Sequence, residues 1–123
     1  MVDGGRVFTL GTMGDLLCLN AADGKVVWSK NFVKDYSAPV PAWGWSAHLL
    51  LDGDTLVALV GGDGQAVVAF DKTTGKERWK ALSTKEICYS PPIVTEAGGK
   101  RQLIVWLSEA LYSLDPATGA QYW

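Results

Sequence analysis

The sequence predicts an all-β protein built from a repeated unit of short antiparallel strands. Two observations lead to this prediction. A segment of 13 residues recurs three times without gaps, and turn-forming residues separate short apolar runs along the whole chain. The three segments are Leu16–Trp28, Val67–Trp79 and Leu111–Trp123, and their tryptophans recur 51 and 44 residues apart. No segment combines a helical period with capping residues, so no helix is expected.

Each recurring segment predicts a β-hairpin. An apolar, a small and an apolar residue come first, followed by Asn or Asp, then by Gly four residues later and by Trp four residues after the glycine. The Asn or Asp side chain can bond the backbone two residues on, and glycine adopts the positive φ that such a turn requires. The residues of this motif are Cys18, Asn20, Asp23, Gly24 and Trp28; Ala69, Asp71, Thr74, Gly75 and Trp79; and Ser113, Asp115, Thr118, Gly119 and Trp123.

Further strands precede each hairpin and complete a four-stranded unit. The expected strands are Arg6–Leu10, Thr55–Val60 and Gln102–Leu107, with Ala47–Leu51 and Pro92–Thr95 before the last two. Four-stranded units with a period of 40–50 residues are typical of β-propeller blades. We therefore expect residues 1–123 to form one domain, a partial propeller ring of about three four-stranded antiparallel blades. Its expected parts are blade one (1–28, lacking its first strand), a linker (29–44), blade two (45–79), a linker (80–90) and blade three (91–123).

The hairpin motif resembles the tryptophan-docking motif Ala-x-Asp-x-x-Thr-Gly-x-x-x-Trp of quinoprotein-like, or PQQ-like repeat, β-propellers. Blade two matches it in full, and blade three replaces only the first residue, by Ser113. Blade one keeps the glycine and the tryptophan but has Cys18, Asn20 and Asp23 at the other three positions. The resemblance implies that each tryptophan lies between adjacent blades, near the glycine peptide of its neighbour, and that the parent ring has eight blades. It also implies that this chain is a stretch of a longer protein.

The family contains both enzymes and proteins without catalytic activity. The enzymes are alcohol and sugar dehydrogenases that hold pyrroloquinoline quinone (PQQ) beside a disulfide of neighbouring cysteines and bind calcium through acidic and amide side chains. Cys18 and Cys88 are isolated and lie in different repeats, so the residues that hold PQQ and calcium in the enzymes cannot be placed in this sequence. We therefore expect no catalytic residue, cofactor or metal, and a scaffold for protein interaction that resembles the outer-membrane assembly lipoprotein type. The alternative is a fragment of a PQQ- and calcium-dependent dehydrogenase whose active-site residues lie outside this chain.

Several single residues are candidates for function. Trp43 and Trp45 flank a glycine in the first linker and are a candidate partner surface, unless they cap the core and stiffen the linker. His48 is expected to be structural, on an inner strand, and Trp106 is expected in the core. Asp15, Asp63 and Glu109 fall at corresponding turns, where they would either be solvated or attract a cation or a basic partner.

Composition narrows the class of partner. The net charge is −2, and the longest basic run is the pair Lys100–Arg101, which disfavours a nucleic-acid surface. No apolar stretch approaches the ~20 residues of a membrane-spanning helix. The expected partner is a protein or the missing blades of the parent propeller, and the isolated chain is expected to self-associate through its open sheet faces. Residues 1–15 lack the pattern of a secretory signal, while the resemblance implies a periplasmic or other extracytoplasmic location.

Overall fold

The computed structural model describes residues 1–123 and consists of three antiparallel sheets that follow one another along the chain. The strands of blade one are β1 (Val2–Asp3), β2 (Arg6–Leu10), β3 (Asp15–Asn20) and β4 (Val26–Asn31). Those of blade two are β5 (Leu50–Asp52), β6 (Thr55–Leu59), β7 (Val67–Asp71) and β8 (Glu77–Ala81). Those of blade three are β9 (Ile93–Ala97), β10 (Lys100–Trp106) and β11 (Leu111–Leu114). Each sheet is a meander in chain order, so the predicted all-β partial propeller is confirmed.

The structure differs from the expected strand pattern at three places. Blade one has a first strand after all, because Val2 and Asp3 pair with β2 in a two-residue ladder. Of the fourth strand of blade three the sequence contains only its start, where Gln121 forms a bridge with Leu114. The first strand of blade two starts at Leu50, so His48 precedes it and is exposed. Short edge strands carry few ladder bonds, and their ends are therefore poorly marked in sequence.

A short helix that was not predicted from the sequence follows blade one. Helix α1 spans Phe32–Tyr36 in the first linker. The Asn31 side chain accepts a hydrogen bond from the Lys34 N–H (2.9 Å) and caps its first turn, and the helix ends at Ser37 in the left-handed region. One helical turn is too short to show a period, but it buries Phe32 against blade one. No helix in the structure has the length and apolar character that crossing a membrane requires.

The core lies between the blades rather than within any one of them. Residues of blade two alternate between its two faces, as the two-residue period of a strand requires. Leu56, Ala58, Val68 and Phe70 join the cluster shared with blade one, and Val57, Leu59, Val67 and Ala69 join the cluster shared with blade three. All eight are buried, so blade two is covered on both sides. Blades one and three are each covered on one side within this chain.

Candidate functional site

The two covered interfaces are built in the same way, from a tryptophan of one blade and a glycine turn of the next. The Trp28 ring of β4 lies against Gly75, where a Cβ atom would come within 2.7 Å of the indole. Its Nε1–H donates to the carbonyl oxygen of Lys72 at 3.0 Å. The Trp79 ring of β8 lies against Gly119, where a Cβ atom would come within 2.5 Å, and its Nε1–H donates to the Pro116 carbonyl at 3.2 Å. Only glycine allows so close a stack at the positive φ of both positions.

The acid of each motif organises the turn that receives the indole. Asp71 Oδ1 accepts hydrogen bonds from the backbone N–H groups of Thr73 and Thr74 and from the Thr74 hydroxyl, and Arg78 binds Oδ2 at 2.6 Å. The Arg78 guanidinium and the Thr74 backbone hold the pKa of Asp71 well below its usual range. Asn20 and Asp115 make the equivalent bond to the N–H two residues on. These three side chains therefore stabilise the turn through hydrogen bonds to its backbone N–H groups.

A third tryptophan and a third glycine of the motif have no partner of this kind in the chain. The Trp123 side chain is 56% exposed. No atom comes within 4 Å of a Cβ built on Gly24, although its φ of +71° matches the +70° of Gly75. The tryptophan of blade three and the turn of blade one are thus both exposed within this chain.

Trp106 lies on the open face of blade three and is 61% exposed, so the prediction that it belongs to the core was wrong. Its neighbours Val105 and Leu107 point to blade two and are buried. Trp106 points the other way, together with its cross-strand partner Leu111. Exposed apolar side chains cover this open face of blade three: Ile93, Trp106, Leu111 and Trp123.

The two candidate tryptophans of the first linker have opposite environments. Trp45 is 3% exposed, packs edge-on against Phe32 and donates from Nε1–H to the Val60 carbonyl at 3.0 Å. The prediction that Trp45 forms part of a partner surface is therefore wrong, and the alternative that it caps the core applies to it. Trp43 is 80% exposed, and its backbone N–H donates to the Tyr89 hydroxyl at 3.2 Å. Gly44 between them lies so close to Thr12 that a Cβ atom would come within 2.4 Å of the Thr12 carbonyl oxygen.

The three acids at corresponding turns each accept a hydrogen bond from a residue at or just after the end of an outer strand. Asp15 accepts from the Asn31 amide at 2.7 Å, Asp63 from the Ser83 hydroxyl at 2.6 Å and Glu109 from the Thr84 hydroxyl at 2.9 Å. The hydroxyls of Ser108 and Thr84 lower the pKa of Glu109 because they stabilise its charged form. The acids fasten the connections between blades, and no group of three His, Cys, Asp or Glu residues is arranged to bind a metal.

The residues of this chain do not fit PQQ and calcium, the groups that the resemblance implies for the enzymes. Cys18 is buried between blades one and two, Cys88 lies in the second linker, and both are free thiols. Burial raises the pKa of both, so neither is an activated nucleophile. His48 lines a cleft of about 530 Å³ beside Trp45, yet no second titratable side chain lines it.

Two ion pairs between blades were not predicted from the sequence. The Lys72 ammonium lies 3.0 Å from Asp3, and the Arg101 guanidinium lies 2.6 Å from Asp52. Asp3 and Asp52 hold equivalent places, since each pairs with the first residue of the second strand of its blade, Arg6 and Thr55. A comparison of the blades at that place would have found the two acids. Tyr36, which donates to Glu77 at 2.9 Å, and Tyr89 likewise tie linkers to their surroundings.

The fold and its two tryptophan-docked interfaces define this protein as a segment of a tryptophan-docking β-propeller. A family model described as outer membrane protein assembly factor BamB matches residues 1–123. The chain therefore belongs to this family of PQQ-like repeat propellers, as the motif predicted.

Known relatives fall in both branches of that family. The quinoprotein ethanol dehydrogenase of Pseudomonas aeruginosa is 35% identical over 91 residues, which are 74% of this chain and 13% of the relative. BamB from Moraxella catarrhalis shares the fold with a TM-score of 0.68 at 21% identity, over 98% of this chain and 33% of that one. A europium-containing methanol dehydrogenase does so with a TM-score of 0.68 at 20% identity, over 99% of this chain and 23% of that one. This chain thus spans a third or less of these relatives.

Proposed function

We propose that this chain serves as a non-catalytic scaffold segment, in which docked blades form the support and an exposed rim binds a protein partner. The observation that carries the proposal is Trp43, a large aromatic side chain left exposed on a linker that is otherwise firmly anchored. Tryptophan is enriched among the residues that dominate binding energy at protein interfaces, because one side chain buries a large area at a low entropy cost.

The surroundings of Trp43 support a binding role. Gly44 fixes the linker on Thr12 of blade one, Trp45 fixes it on Val60 of blade two, and Tyr89 fixes it on the second linker, so little backbone freedom is lost on binding. A cleft of about 310 Å³ separates residues 39–42 from residues 85–87. Trp43, Tyr89 and this cleft together form what we call the rim patch. A partner would stack on the indole and place an apolar side chain in the cleft.

Photo-crosslinking in the cells that make the complete protein tests this proposal. A photoreactive amino acid at position 43 is expected to give a discrete adduct with another protein. The matched control is position 22, which is exposed in the β3–β4 turn at the other rim and is expected to give none. Identical adducts from both positions, or none from position 43, would contradict the rim patch as a binding site.

A second candidate function is that of a structural part of a quinone-dependent dehydrogenase. The 35% identity to the quinoprotein ethanol dehydrogenase favours it. In that case the residues for PQQ and calcium come from other blades, and these three blades support the ring. The complete protein, supplied with PQQ and calcium, would then reduce an electron-accepting dye in the presence of an alcohol. The scaffold proposal expects no alcohol-dependent dye reduction.

A further inference from the structure

We propose that the partner of the rim patch is an extended protein segment that carries arginine or lysine close to an apolar residue. This inference rests on the proposed scaffold function and adds the chemistry of the partner. The apolar residue of the segment occupies the cleft beside Trp43, and its basic side chain lies against the carboxylates around that cleft.

The two rims of the blades differ in charge. The meander order places the β2–β3, β6–β7 and β10–β11 turns and both connections between blades at one rim, and the remaining turns at the other. We call the first the linker rim; it consists of residues 11–15, 32–49, 60–66, 82–92 and 107–110. Its acids and lysines are Asp15, Asp35, Asp63, Glu86, Glu109, Lys34 and Lys85. Acids outnumber lysines here, whereas the net charge of the whole chain is only −2, so negative charge is concentrated at the linker rim.

No acid of the linker rim is neutralised by an ion pair. All ion pairs of the structure join side chains at the opposite rim. Asp15, Asp63 and Glu109 accept hydrogen bonds from neutral amide or hydroxyl groups, which leave their charge in place. Glu86 is exposed, and only its backbone carbonyl accepts hydrogen bonds. A basic partner therefore gains these charges without breaking an internal pair.

A second cleft with acidic walls adjoins the cleft of the rim patch. Residues 39–42 give the first cleft a wall of two prolines, a valine and an alanine. The second cleft, of about 390 Å³, is lined by Asp63 and Glu109. Lys85 lines both clefts, so they are neighbours on the surface. An extended segment that points alternate side chains at this surface can place an apolar side chain in one cleft and a basic one in the other.

The negative charge also acts on the residues of the rim patch. Burial raises the pKa of the Cys88 thiol, and the charges of Glu109 and Glu86 add to this effect. Cys88 directly precedes Tyr89, whose hydroxyl holds the backbone of Trp43. The same field favours an ammonium or guanidinium group at the rim patch and disfavours a carboxylate. The exposed indole of Trp43 offers a further surface on which a cation can stack.

Peptide binding to the complete protein measures this preference for charge. The probe is a fluorescent nine-residue peptide in which leucine and arginine alternate, with a serine between them. Two matched peptides replace the arginines by glutamate or the leucines by serine. We expect the probe to bind at least about tenfold more tightly than either of them, because each lacks one of the two contacts. Fluorescence anisotropy gives the affinities, and that of the probe should fall as salt screens the carboxylates.

Two variants of opposite sign test whether the linker rim is the surface that binds the probe. Glu86→Gln removes a negative charge and should weaken binding about two- to fivefold. Lys85→Gln removes a positive charge from the two clefts and should strengthen binding by a similar factor. The matched controls at the opposite rim are Glu96→Gln and Lys76→Gln, which also change exposed side chains, and both are expected to bind the probe as the wild type does.

The photo-crosslink from position 43 distinguishes a failure of this inference from a failure of the scaffold function. Mass spectrometry of the adduct should find lysine or arginine within about three residues of the crosslinked position of the partner, which lie within reach along an extended chain. An adduct without such a residue would overturn the basic partner and leave the scaffold function standing, whereas the absence of any adduct would overturn both. Tighter binding of the glutamate peptide, or equal effects of the linker-rim variants and their controls, would also contradict the inference.

Discussion

At the scale of single residues, the smallest side chains decide where the largest ones lie. Gly75 and Gly119 give two indoles a flat peptide surface to stack on, and a backbone carbonyl nearby accepts each indole N–H. The tryptophan therefore satisfies its polar atom while its ring leaves water, which removes the usual cost of burying it.

Gly75→Ala should destabilise the chain more than the same change at a glycine without an indole above it. Gly64 is the control, with a φ of +68° and nothing within 4 Å of a built Cβ. Both changes cost about 1–2 kcal/mol because alanine is strained at positive φ. At Gly75 the new methyl group also displaces Trp28, which should add at least about 1 kcal/mol. Urea unfolding measures both, and equal losses would show that the Trp28 contact contributes nothing.

Asp71 should stabilise the folded chain at neutral pH, and this contribution should be lost in acid. Its folded pKa lies below the unfolded value of about 3.9, so the carboxylate stabilises the fold above that value. This stability is lost as the pH falls through the folded pKa. Asp71→Asn keeps the oxygen that bonds the turn, as Asn20 does in blade one, but loses the charge opposite Arg78. The variant should be less stable than the wild type near neutrality, and the difference in unfolding free energy should shrink below about pH 4.

At the scale of elements, the linkers are built into the structure as firmly as the strands. The first linker contains helix α1, which buries Phe32, and then Trp45, whose indole lies in the core between blades one and two. Trp43, two residues earlier, lies in solvent. The glycine between them turns the chain against Thr12, so that one ring goes in and the other stays out.

Replacement of each linker tryptophan by phenylalanine should separate their roles. Trp45→Phe leaves the Val60 carbonyl without its donor in a buried place, which should cost about 1–3 kcal/mol. The Trp43 side chain is 80% exposed and makes no intramolecular hydrogen bond, so Trp43→Phe should change stability by less than about 0.5 kcal/mol. Thermal or urea unfolding of the two variants gives the comparison. A similar loss in both would mean that Trp43 also stabilises the fold.

The hairpins could be predicted from sequence because their cause is local: an Asn or Asp oxygen, a glycine at positive φ and apolar strands on either side. The exposure of Trp106 could not, since β10 is apolar on both faces and the sequence does not show which face is covered. The burial of Trp45 depends on Phe32 and Val60, which are distant in sequence. Helix α1 has one turn and hence no period to detect.

At the scale of the whole molecule, the three blades form a row in which only neighbours touch. The two core clusters each join one pair of blades, and cross-blade ion pairs add to each boundary. Stability in such an array is close to a sum over units and their boundaries. Damage at one boundary is therefore expected to stay local.

Trp79→Ala should uncouple blade three while blades one and two stay folded together. The loss of a large buried side chain costs about 3–5 kcal/mol, and it falls on the boundary with blade three. Hydrogen exchange should then speed up in β9–β11 and stay slow in β2, β3 and β6. Trp28→Ala is the matched variant at the other boundary and should release blade one instead. Uniformly faster exchange in either variant would indicate one indivisible cooperative unit.

The docking turn also bears on how such chains diversify. Each indole recognises a peptide plane and a carbonyl, features that every polypeptide shares, and the one side-chain demand on the receiving turn is that its glycine remain bare. This part of the contact thus depends on the backbone of the adjacent blade rather than on the identity of its other side chains. The same docking turn can therefore recur from blade to blade by duplication, whereas the apolar faces and the ion pairs of each boundary still have to match their neighbour.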